Sequence, residues 1–177
     1  VRHIFIEDLE FRERSGEQFF SGYAAVFNED FHLFADCHER FDKKAFDNIG
    51  VVQCWYDHKS DMVLGSTAIE RSLTLTVDDK GLYYEQKFNG EDADHVYVRS
   101  KIRSGLCKGS SLGFTPTKQK WIKEGDKSIN VIEACSVRDL GPTPAPCYTS
   151  TTAQVRSSAD IEEARKSFET WKRISSI

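Results

Sequence analysis

The sequence predicts an α+β, mainly β fold: an antiparallel β-barrel-like core with surrounding helices and a C-terminal amphipathic helix. Three observations carry this. Residues 72–88, SLTLTVDDKGLYYEQKF, alternate apolar and polar side chains on either side of a turn at 78–81, a hairpin pattern. Residues 117–137, TKQKWIKEGDKSINVIEACSV, repeat it around a turn at 124–128. From Asp160 the period changes: Ile161, Ala164, Phe168 and Trp171 recur at three- and four-residue steps, a helical stripe.

The remaining elements follow in order. Leu9 and Phe11 alternate with Glu10 and Arg12, Ser15-Gly16 marks a turn, and QFFSGYAAVF (18–27) is an aromatic-rich strand. DKKAFDNI (42–49) reads as a short helix capped by Asp42 and stopped by Gly50. VVQCWY (51–56) is a buried strand ending at Asp57 and His58. Residues 91–105 read as a helix, with Val98 and Ile102 on one face and Gly105 as its C-terminal cap. GPTPAPCY (141–148), rich in proline, reads as an irregular extended segment. Asp160 with Glu163 resembles a capping box. The expected organisation is a domain over 1–157 and a helix over 158–177, packed on the core or used in oligomerisation.

Composition narrows the function. At 177 residues the chain is long enough for a real core, and a net charge of −4 without a basic block lacks the footprint of a nucleic-acid binder. No apolar run approaches the ~20 residues of a membrane span, and VRHIFIEDLEF has no signal-peptide architecture. The absence of an initial methionine is expected of a fragment or a processed form. Five widely spaced cysteines without C-x-x-C suit reduced thiols.

GLCKGSSLGF (105–114) carries the sharpest chemical signal. Gly109, Ser111 and Gly113 match G-x-S-x-G, where glycines expose a nucleophilic serine or supply oxyanion-binding amides. The alternative is an ordinary turn. All five histidines precede Ser111, which excludes the α/β-hydrolase order. His58, closing the run QCWYDH, is the candidate base, against the plainer reading of a turn histidine. Glu133 and Asp139 both follow Ser111, and either is a candidate orienting acid or a surface charge. A zinc-binding adaptor using Cys37, His38, Cys54 and His58 is a rival, but paired ligands at zinc spacings and H-E-x-x-H are missing, so no metal is expected.

Taken together, several spaced segments resemble one family: the prohead maturation proteases of tailed bacteriophages, relatives of the herpesvirus capsid-assembly protease. SGYAAVFNED (21–30) is similar to the family's opening strand, and FDKKAFDNI (41–49) to its "GAF" helix. WYDHKSDMVLG (55–65) resembles its histidine motif, with lysine after the histidine where an acid is common. DDKGLYYEQKF (78–88) resembles its D-x-x-G-L hairpin, and SLGF (111–114) its S-x-G-F serine motif. DLGPTPAPCY (139–148) resembles E-V-S-P-V-T-x-P-A-Y, keeping Pro142, Pro146 and Tyr148, with Asp139 in place of Glu and Gly141 in place of Ser.

The resemblance implies a serine endopeptidase with Ser111 as nucleophile, His58 as base and Asp139 as orienting acid, with Glu133 in reserve. It implies no cofactor. It also implies action in the bacterial host cytoplasm, inside the immature capsid, on scaffold protein, on the scaffolding segment of the major capsid protein and on itself, and it permits a homo-oligomer. No membrane or direct nucleic-acid partner is expected. The rival of the same ancestry is a non-enzymatic capsid-assembly module, which would be expected to lose Ser111 or His58; this sequence keeps both.

Overall fold

The computed structural model describes residues 2–144 and 158–175. Its spine is a long hairpin, β10 (Cys107–Glu124) and β11 (Lys127–Pro144), turned at Gly125, whose φ of 57° suits a residue without Cβ. On one side of β10 lies β1 (Arg2–Ile6), antiparallel. On the far side of β11, β5 (Cys37–Phe41) pairs with its first half and β6 (Gln53–Trp55) with its second, both parallel. β4 (Phe31–Phe34) and β7 (Val63–Ser66) complete this seven-stranded sheet.

A second sheet of four strands runs β2 (Glu10–Arg14), β3 (Glu17–Val26), β9 (Gly81–Lys87), β8 (Leu73–Val77). The local hairpins form where expected. Ser15 and Gly16 both take positive φ, the geometry of a tight two-residue hairpin turn, and Asp78 Oδ1 accepts from the Lys80 and Gly81 amides in the next. The core lies between the sheets. Phe20, Leu82 and Tyr84 from the second meet Ile4, Leu112, Phe114 and Leu140 from the first.

The mainly β class agrees with the sequence, but the barrel-like antiparallel core needs correction. The main sheet is mixed, and among the described strands the two sheets remain open, with β1, β4 and β7 at the edges of the first and β2 and β8 at those of the second. The parallel pairs join segments some eighty or more residues apart, which local turn signals cannot report. Two segments also differ locally. Residues 42–49 form only a 3₁₀ turn, Lys43–Phe46, capped as expected by Asp42 accepting from Lys44 N at 2.9 Å. Residues 141–144 are not irregular; they are the end of β11, paired with β10. Residues 145–148 lie outside the described residues.

The first helix, α1 (Ala93–Arg103), is capped by Asp92 and followed by Gly105 at φ 73°. The second, α2 (Ser158–Ser175), starts before Asp160, so Asp160 lies inside the helix and not at a capping-box position. Its apolar stripe is covered by its own chain: Ala164, Phe168 and Trp171 pack with Leu33, Phe34, Cys37 and Trp121, and Trp121 Nε1 donates to Ser167 Oγ at 3.0 Å. No described helix is long and apolar enough to cross a membrane.

Candidate active site

The GSSLG segment is neither a turn nor an elbow. It lies within β10, between β1 and β11, with Ser111 opposite Phe5 on one side and Gly141 on the other. Successive side chains of a strand point to opposite faces, and that separates the two serines. Ser110 turns to the core, where its hydroxyl meets Tyr84 Oη at 3.0 Å. Ser111 turns to the other face, with Gly113 on its own strand and Asp139, the cross-strand partner of Gly113, on the next.

The two glycines act through their missing side chains. A Cβ on Gly109 would overlap the Phe5 ring, and a Cβ on Gly113 would lie 2.5 Å from Asp139 Oδ1. Neither is a turn residue, contrary to that reading of the motif.

His58 reaches this face from β6. The parallel pairing of Gln53 with Asp139 and of Cys54 with Leu140 brings the end of β6 over β11. The chain then turns sharply through Tyr56–His58, with φ of 54° at Asp57 and 57° at His58. Two successive non-glycine residues in the left-handed region are costly, about 1–3 kcal/mol each, and such strain persists where surrounding contacts enforce it. One of those contacts is Thr143 Oγ1, which donates to Asp57 Oδ1 at 3.0 Å.

The result is a continuous hydrogen-bonded line. His58 Nδ1 bonds Asp139 Oδ2, and His58 Nε2 lies 2.6 Å from Ser111 Oγ. Asp139 and Ser111 are buried while the imidazole is partly exposed. The second carboxylate oxygen of Asp139 has no hydrogen-bond partner among the described residues; Arg138 Nε lies 3.8 Å away.

Glu133, the reserve acid, is not at this site. Six residues from Asp139 along β11, or roughly 20 Å at strand rise, it pairs with Lys120 at 2.6 Å and Lys118 at 3.1 Å. These lysines, Lys120 first, lower its pKa.

The zinc set suggested by the sequence does not assemble either. Cys37 belongs to the small cluster under α2 and Cys54 to the main core, where burial raises its thiol pKa. Among the described residues, the metal-type side chains that do converge are His3, His58 and Asp139.

Sequence reasoning missed β1. Arg2 is fully buried against Glu39 at 2.6 Å, the His3 ring lies 4.0 Å from the His58 ring, and Ser111 Oγ donates to the Ile4 carbonyl at 2.5 Å. The short apolar run Ile4-Phe5-Ile6 was the only local signal, and it does not alternate.

A comparison with protein-family models matches residues 7–167 to the family described as caudovirus prohead serine protease. Comparisons with curated proteins and with solved structures gave no match. The matched region takes in the Ser, His and Asp positions just described and nearly the whole chain, which therefore belongs to the caudovirus prohead serine protease family.

Proposed function

We propose that this chain is the serine endopeptidase of a phage prohead, with Ser111 as nucleophile, His58 as general base and Asp139 as the group that orients the imidazole. The observation that supports this is the single hydrogen-bonded line Asp139–His58–Ser111, assembled from three separate strands or turns.

Ser111 Oγ attacks the scissile carbonyl while His58 Nε2 takes its proton. The imidazolium that forms is stabilised by the Asp139 carboxylate at Nδ1, which also fixes the tautomer that leaves Nε2 free to accept. Collapse of the tetrahedral intermediate breaks the C–N bond, and His58 returns the proton to the leaving amine. Water then enters, His58 again acts as base, and the acyl-enzyme is hydrolysed.

The substrates on this reading are scaffold protein, or the scaffolding segment of the major capsid protein, and the protease itself, within the immature prohead. Incubating the cognate capsid and scaffold proteins with the parent chain and with Ser111→Ala, read by gel and mass spectrometry, tests it. Cleavage by the parent that disappears in the variant is the expected result. Intact substrates with a folded parent, in solution and in assembled proheads alike, would favour the assembly-module reading.

A further inference from the structure

Resting on that reading, we propose that β1 is a displaceable autoinhibitory strand, occupying the β10 edge on which an extended substrate peptide pairs. The first argument is a proton count. A serine hydroxyl has one proton. Ser111 Oγ donates it to the Ile4 carbonyl at 2.5 Å, while His58 Nε2 stands 2.6 Å from the same oxygen. While the Ile4 carbonyl holds that proton, Oγ has none to give to Nε2. A general base must meet it as an acceptor. The arrangement holds the serine in a non-attacking state, and the group that holds it belongs to β1.

Access points the same way. Ser111 is only 4% exposed, and the His3 ring covers the His58 ring at 4.0 Å. Both covering groups, Ile4 and His3, come from one five-residue strand.

Topology supplies the occupant. β1 is an edge strand, antiparallel to β10 and paired in the main sheet with nothing else. Its removal would bare the backbone of 110–114 along one side, a row of donors and acceptors that an extended polypeptide completes by strand addition. A peptide entering there would run past Ser111 as β1 does now.

The hold on β1 is incomplete. Arg2 Nη1 bonds Glu39 and, at 3.3 Å, Gln119, but Arg2 Nε and Nη2 are buried without a hydrogen-bond partner among the described residues. A buried ion pair whose remaining donors are unsatisfied recovers its desolvation cost poorly. Phe5 adds a hydrophobic grip, its ring filling the space above Gly109.

The test uses a cross-link and a loosened strand. Ile6 and Ser110 are cross-strand partners, so the double variant Ile6→Cys, Ser110→Cys can tie β1 to β10 on oxidation. Phe5→Ala loosens the strand without touching Ser111, His58 or Asp139. Labelling of Ser111 by a fluorophosphonate is followed by mass spectrometry. The expectation is labelling about tenfold faster than the parent for Phe5→Ala, and at least about tenfold slower for the oxidised double variant than for the same protein reduced, as a shifted open population requires. Equal labelling of the oxidised and reduced forms, with none in Ser111→Ala, would overturn the strand proposal and leave the protease reading standing. No labelling in any form, Phe5→Ala included, would overturn both.

Discussion

Gly113 and Asp139 face one another across the β10–β11 ladder, and the carboxylate occupies the space that a side chain on Gly113 would need. The glycine of S-x-G thus makes room for the acid. Gly113→Ala forces a Cβ to 2.5 Å from Asp139 Oδ1, so the carboxylate must move and the His58 imidazole with it. A displacement on the order of 1 Å at a catalytic group costs roughly 100-fold in rate. The overpacking itself costs about 1–3 kcal/mol of stability. We expect kcat to fall by about that rate factor in a protein that still melts cooperatively. An unchanged kcat, measured on the cleaved capsid peptide, would show that Asp139 does not depend on the glycine.

On the proposed mechanism, Asp139→Asn keeps the volume but removes the charge that would stabilise the imidazolium, and it favours the tautomer with the proton on Nε2. Loss of roughly 10⁴ in kcat is expected, on the precedent of serine triads generally. Glu133→Gln removes only surface pairs with Lys120 and Lys118, whose contribution is typically about 0–1 kcal/mol, and should leave kcat unchanged. Steady-state kinetics on the two variants separates the acids. Equal losses would return Glu133 to consideration.

The difference between these two acids shows how far the sequence could be read. Both follow Ser111, Glu133 in the second strand of the hairpin expected over 117–137 and Asp139 just past it, and nothing in the residues themselves chooses between them. The resemblance favoured Asp139, but position in space depends on the β10–β11 register and on the parallel pairing of β6, which links Gln53 to Asp139 across more than eighty residues. Hairpin turns at Ser15-Gly16 and at 78–81 were legible because their chemistry is local. β1 was not, because a five-residue strand gains its meaning only from the strand it meets. The proline-rich end of β11 was misread for the opposite reason: local signals argued against strand, and pairing with β10 prevailed.

His95 predicts a pH dependence of stability. It is buried, with Nε2–H donating to the Leu64 carbonyl at 2.7 Å and Nδ1 accepting from the Asn89 amide at 3.2 Å. That pattern demands the neutral ring, and burial lowers its pKa below the ordinary 6.5. The unfolded chain therefore binds a proton more readily than the native one below that value. Stability present above pH 6.5 should fall as pH drops toward the lowered native pKa, then level off for this group. Urea unfolding between pH 7.5 and 5, with His95→Gln alongside, checks it. The parent should lose more than the variant across this interval; parallel curves would assign the loss to other groups.

Trp121 separates stability from chemistry. It lies on β10 ten residues from Ser111, roughly 30 Å along the strand, and joins β10 to α2 through Phe168 at 5.1 Å, Trp171 at 6.1 Å and the bond to Ser167. Trp121→Ala removes the centre of that cluster and should cost about 3–5 kcal/mol. Ser167→Ala deletes only a hydrogen bond and should cost about 1 kcal/mol. The first variant should melt at a lower temperature and become sensitive to protease within α2, while its folded fraction labels at Ser111 at the parent's rate. A slower labelling rate in protein shown to be folded would mean that α2 docking reaches the Ser111 end of β10, and would join two parts of the sheet that the packing keeps apart.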